Sequence, residues 1–187
     1  MLSSNNKGNG NNNRTRTVTA TRTLPYTPTT LFTVIASVND YASFYPFLTA
    51  STVTARDPTT HLPTRAYLTV GYGPLSETFT SRVDCDPRAL VVEARSGARF
   101  AREHGEGGDF PGAGEGVFEY LSTRWVLLPE TEGEGHGVGG PKTRVELRIQ
   151  FEFRNEFYAA VMGSLEGQMA GVMVEAFEKR VREVQGR

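Results

Sequence analysis

Between Arg144 and Arg154 apolar and polar residues alternate without interruption. Val145, Leu147, Ile149, Phe151 and Phe153 fall on one side; Arg144, Glu146, Arg148, Gln150, Glu152 and Arg154 fall on the other. Successive side chains of a strand point to opposite faces, so this segment predicts a half-buried strand of an antiparallel sheet with one wet face. The period then changes. From Asn155 to Val184 the apolar positions Tyr158, Val161, Met162, Leu165, Met169, Val172, Met173, Ala176 and Phe177 recur at threes and fours, which is one face of a helix. Asn155 suits its cap and Glu156 its first turn; Lys179, Arg180 and Arg182 suit its last turns, and Gly186 its stop. At 1.5 Å per residue it would run about 45 Å. An apolar face that long needs a broad partner, and the oily side of the sheet supplies one.

Upstream, Thr15 to Leu24 is threonine- and valine-rich and reads as a first strand ended by Pro25. Thr27 with Pro28 is a helix start, with Leu31, Phe32 and Ile35 as the apolar face. Asn39 or Asp40 caps a second short turn or helix holding Tyr41, Phe44 and Tyr45. Strands come next at Phe47–Ala55, Arg65–Tyr72, Glu77–Val83, Leu90–Ala94 and Val117–Leu128, separated by turn signals such as Asp57-Pro58, Gly73-Pro74 and Asp86-Pro87. Such short separations predict antiparallel hairpins. Glycine-rich loops at 97–116 and 130–142 interrupt the rhythm.

Composition narrows the picture. The 187 residues, formal net charge -1, leave room for one globular domain and a tail. No basic run of five or more occurs, so nucleic acid is not an expected partner. No apolar run approaches the roughly 18 residues of a bilayer span, so any membrane contact is expected to be peripheral. Residues 1–39 carry Lys7, Arg14, Arg16 and Arg22 and no acid, mildly like a transit peptide. The Asn/Gly-rich start has no amphipathic face, and residues 1–14 are read as a disordered tail before a domain over 15–187.

Candidate chemistry is sparse. Gly135–Thr143 imitates the end of a P-loop, but Pro141 precedes the lysine and a strand comes after it, so no helix dipole would face a phosphate. The glycines near 105–116 do not sit in a strand-to-helix turn. His61, His104 and His136 lie in separate loops without ligand spacing, and Glu103, Glu106 and Asp109 read as solubilising charge. A single cysteine, Cys85, excludes an internal disulfide and reads as a small buried or edge residue. No metal site and no resident cofactor are expected. The remaining candidates are apolar: Phe47, Leu68, Val70, Tyr72, Phe79, Trp125, Phe151 and Phe153 from the sheet, with Val161, Met162, Leu165, Met169 and Met173 from the helix. These residues would serve equally as a filled core or as an adjustable cavity lining.

Three segments resemble the coenzyme Q-binding branch of the START-like superfamily. They are Val38-Asn39-Asp40-Tyr41-Ala42-Ser43-Phe44-Tyr45-Pro46-Phe47; Leu68–Tyr72 leading to Glu77–Val83; and Phe151-Glu152-Phe153-Arg154-Asn155 with Met173–Arg180. Leu48, where that branch is expected to carry cysteine, and the glycine-rich loops depart from the pattern. The resemblance implies an α+β helix-grip fold: a curved antiparallel sheet of about seven strands around a long C-terminal helix, with two short helices after the first strand. It also implies a non-catalytic carrier or chaperone, serving respiration and coenzyme Q biosynthesis. The cargo is ubiquinone or a polyprenyl precursor, carried on the matrix side of the mitochondrial inner membrane. A cyclase/aromatase-type enzyme of the same fold and a ribosome-associating interaction module are the alternatives. Headgroup contacts are expected among Tyr72, Tyr120, Ser81 and Arg82.

One expectation comes from helical spacing alone. Ala160, Gly163, Gly167, Gly171 and Val174 form a small-residue stripe opposite the apolar centre of the last helix. Its three glycines cost about 2 to 3 kcal/mol in helix propensity. Close packing of a second helix, as in a homodimer, would offset that cost; a pliable lid helix is the other reading.

Overall fold

The computed structural model describes residues 14–72, 75–105, 110–114, 116–130 and 140–186. The side chains of Tyr72, Leu75, His104, Tyr158, Val161, Met162, Ser164, Leu165 and Glu166 lie outside that description. So do the tail except Arg14, the centre of the 130–142 loop with His136, and Glu106 and Asp109.

Seven strands form one antiparallel sheet: β1 Arg16–Leu24, β2 Leu48–Arg56, β3 Pro63–Tyr72, β4 Leu75–Asp86, β5 Val91–Ser96, β6 Phe118–Glu130 and β7 Lys142–Phe153. Their order across the sheet is β1-β7-β6-β5-β4-β3-β2. β2 through β7 follow one another as antiparallel neighbours, while the chain from β1 to β2 crosses from one edge of the sheet to the other. That crossing carries α1, Pro28–Ala36, and a 3-10 helix, Val38–Ser43. The long α3, Glu156–Gln185, packs on β1, β7 and α1. This is the helix-grip architecture the sequence predicts.

Local chemistry explains the crossing. The hydroxyl of Thr27 accepts the Thr30 N–H at 3.3 Å and Pro28 opens the helix, so α1 starts where the cap signal lies. The 3-10 helix is fastened to β2. Asn39 Oδ1 accepts the Val53 N–H at 2.6 Å, while Ser51 Oγ donates to the Asn39 carbonyl and accepts the Ala42 N–H, both at 3.0 Å. Tyr41 Oη donates to the Ile35 carbonyl, tying the 3-10 helix back to α1. Tyr41, Phe44 and Tyr45 pack ring against ring, with centroids 4.4 to 5.7 Å apart.

Three expectations need correction. Val174 does not belong to an outward stripe: it is buried with Ala170, Phe177 and Val181, while Met169, Met173 and Ala176 pack against their flank. The inward line of α3 is therefore rotated from the expected one. Small residues at 170 and 174 bring the helix close to β1 and β7, and the longer methionines reach sideways. The connection after Gly97 is not all loop, because Ala98–His104 forms a helix, α2. Phe100, Ala101 and Phe110 make a second apolar cluster on the outer face of the sheet, with Phe100 stacked on Tyr120 at 4.5 Å and Arg82 lying over Phe110 at 4.8 Å. Glu152, assigned to the wet face, is consequently covered, with the Arg99 guanidinium of α2 3.9 Å from its carboxylate.

Candidate functional site

Between sheet and helices lies a cavity of about 140 Å³. Its existence comes from side-chain size. Ala66 on β3 pairs with Ser81 on β4, and Ala94 on β5 pairs with Thr123 on β6; Ala94 faces Val83 on β4, so the two small pairs lie on a diagonal across four neighbouring strands of the inner face. Larger residues stand around this floor: Leu68, Val70 and Phe79 toward one end, Val83, Val92, Trp125 and Ile149 toward the other. Met169 and Met173 of α3 roof it, together with Val38, Tyr41, Tyr45 and Phe47 from the crossing and Leu48 at the start of β2. Protein interiors pack at crystal-like density, so short side chains that meet beneath a roof of larger ones leave space between them.

The described lining is apolar and uncharged. Among the described residues it contains no acid, base or thiol; its polar side chains are the hydroxyls of Tyr41, Tyr45, Ser81 and Thr123 and the indole of Trp125. Burial pushes both phenols well above their usual range, more so for the nearness of Cys85 to Tyr41 and of Tyr41 to Tyr45. Cys85 lies outside the lining, its thiol pushed up to about 11 by burial and then by Asp84. Among the described residues no three His, Cys, Asp or Glu side chains gather into a metal site. His61 sits in a tight turn at φ 58°, where Asp57 accepts the N–H groups of Thr59 and Thr60.

Of the residues singled out from sequence, Phe47, Leu68, Val70, Phe79, Trp125, Met169 and Met173 line the cavity. Phe151 and Phe153 do not. Phe151 is core, and Phe153 stacks on Phe118, which meets Phe79 edge-on, leaving Phe153 a ring removed from the space. The side chains of Tyr72, Val161, Met162 and Leu165 lie outside the described residues. Tyr120 and Arg82, offered as headgroup contacts, face the outer cluster instead. Sequence reasoning missed Tyr41, Tyr45, Ala66, Ala94 and Thr123. The tyrosines are visible as an aromatic cluster behind a capping residue, but nothing local says that they turn toward the sheet. On α3, Ala160, Gly163, Gly167 and Gly171 are exposed, and a Cβ built on any of the three glycines meets no atom within 4 Å.

A seven-stranded antiparallel sheet gripping one long helix over an apolar hollow defines a START-like helix-grip protein. The sequence matches the polyketide cyclase/dehydrase and lipid transport family over residues 24–178. It is 34% identical over 161 residues, 86% of this chain and 84% of the other, to the mitochondrial coenzyme Q-binding protein coq10 of Schizosaccharomyces pombe. It is also 26% identical over 163 residues, 87% of this chain and 93% of the other, to the ribosome association toxin RatA of Pseudomonas aeruginosa. A solved START superfamily protein from Mycobacterium smegmatis superposes with a TM-score of 0.66 over 90% of this chain and 98% of its own, at 16% identity, a likeness of fold. The chain belongs to the polyketide cyclase/dehydrase and lipid transport family, in its coenzyme Q-binding group.

Proposed function

We propose that this protein is a non-catalytic carrier for a polyprenyl quinone, coenzyme Q or a biosynthetic precursor, working at the mitochondrial inner membrane. The observation that carries the reading is the uncharged cavity on this fold. A void of about 150 Å³ with apolar walls stays dry and accepts a benzene-sized guest. The cavity matches one substituted ring and is far too small for a long isoprenoid tail, which must extend beyond it. Each isoprene unit would cost about 4 kcal/mol in water at 0.8 kcal/mol per carbon, so the tail stays against protein or lipid throughout transfer. Bilayer hydrocarbon is as apolar as the lining, which makes exchange nearly neutral and favours a shuttle over a trap. No described helix is long and apolar enough to cross a membrane.

A cyclase-like enzyme needs a positioned acid or base against its substrate. Hydroxyls with raised phenol pKa values serve that role poorly at neutral pH. The similarity to a ribosome association toxin supports a second reading, an interaction module, which predicts co-sedimentation with ribosomes whatever the lipid content. Organic extraction of the purified protein and mass spectrometry of the extract separate the two. A quinone or prenylated-ring lipid in the extract is expected, and its absence under every expression condition would refute the carrier.

A further inference from the structure

Tyr45 and Ser81 are each 4% exposed and line the cavity from opposite sides, the roof and the floor. Tyr41 spends its hydroxyl on the Ile35 carbonyl, but neither the Tyr45 nor the Ser81 hydroxyl makes a hydrogen bond to another described residue. Neither oxygen is among the sealed polar atoms left without a partner, so both open on the cavity itself, where a hydroxyl lacking a partner forgoes a hydrogen bond that a guest's acceptor can restore. Two of them facing one ring-sized hollow mark where acceptor atoms of a guest belong. We propose that Tyr45 and Ser81 are the headgroup-reading pair, donating hydrogen bonds to two oxygens of a neutral quinone ring seated over Ala66 and Ala94. This rests on the carrier reading and specifies how the ring is chosen.

The raised pKa of Tyr45 keeps its phenol protonated, hence a donor, throughout the physiological range. The same lining sets a limit on what enters. Among the described residues no cation borders the cavity, so a prenylated ring still bearing an ionised carboxylate would be buried without a counter-charge. The pocket accepts a ring after loss of its acid group and refuses it before.

Trp125, the single tryptophan, lines the cavity and reports binding through quenching by a short-tailed ubiquinone. Wild type, Tyr45→Phe, Ser81→Ala and the double variant are titrated with that quinone. The same four are titrated with a ring of equal tail but no oxygen, and with a carboxylated ring. Thermal melts show that each variant is folded. Each single substitution should weaken the quinone about 5- to 10-fold, one lost neutral hydrogen bond, and leave the oxygen-free ring unchanged. Wild type should bind the carboxylated ring at least about tenfold more weakly than the quinone at neutral pH. Variants that bind quinone as well as wild type, or a carboxylated ring bound equally well, overturn the assignment while the carrier stands. A wild type that binds none of the three removes the carrier and this inference together.

Discussion

Replacing Ala94 with leucine places three extra carbons on the cavity floor, between Val83 and Thr123. An unfilled cavity destabilises by about 24 cal/mol per Å³, so 140 Å³ of void represents about 3.4 kcal/mol that filling could recover at most. Three methylenes moved from water to protein bring about 2.4 kcal/mol, against overpacking strain of about 1 to 3 kcal/mol. The expected net change lies between roughly -0.6 and +1.4 kcal/mol, a Tm between about 2 °C below and about 6 °C above the wild type for a chain this size. That near-neutral to favourable range differs from an ordinary core, where a leucine forced onto a filled floor would cost stability outright. Binding should change in the opposite sense, because the ring and the leucine need the same space. Calorimetric melting with and without short-tailed ubiquinone, together with Trp125 quenching, measures both. A variant that melts several degrees lower, or that still binds quinone like wild type, refutes the idea that this floor is open ground kept for a ring.

Other consequences can be checked separately. Phe177→Ala removes a fully buried ring packed 5.3 Å from Trp125 and should cost about 3 to 5 kcal/mol in urea denaturation; a loss below 1 kcal/mol would show that α3 does not clamp the sheet there. Tyr41 and Tyr45 have folded pKa values raised above 10, so their contribution is complete below pH 10 and declines as the pH rises beyond it, when the unfolded phenols ionise first. Stability should fall there by up to about 1.4 kcal/mol per pH unit for each phenol, and Tyr41→Phe should flatten the slope; identical slopes would contradict the burial. Cys85, with its thiol pushed up to about 11, should react with iodoacetamide at pH 8 far more slowly than a free thiol, and only unfolding should restore the rate.

How much of the fold and the cavity is legible in the sequence depends on the range over which each signal acts. The alternation through β7 and the cap at Thr27 are local, and both elements form where those signals stand. The inward line of α3 differs from its periodicity because periodicity weighs a methionine above an alanine, whereas close packing on β1 and β7 prefers Ala170 and Val174. Gly97, at φ 113° and with Glu119 backbone against the place a Cβ would occupy, reads locally as loop. The segment beyond it folds as α2 because Phe100 and Phe110 find Tyr120 and Arg82 on strands distant in sequence. The cavity is beyond reach for a sharper reason. Its floor consists of one small residue from each of four strands, and their coincidence exists only once the register is set. Tyr45 reaches the same space from the far edge, carried there by a 3-10 helix fixed to β2 through Asn39 and Ser51.

The central claim, that a neutral quinone ring occupies the hollow beneath α3, is tested most directly by methyl NMR on protein labelled at methionine and alanine. Adding short-tailed ubiquinone should shift the methyl signals of Met169, Met173, Ala66 and Ala94, all in the lining, and leave Ala101 in the outer cluster unmoved. Unmoved lining methyls at saturating quinone, or shifts confined to the outer cluster, would contradict it.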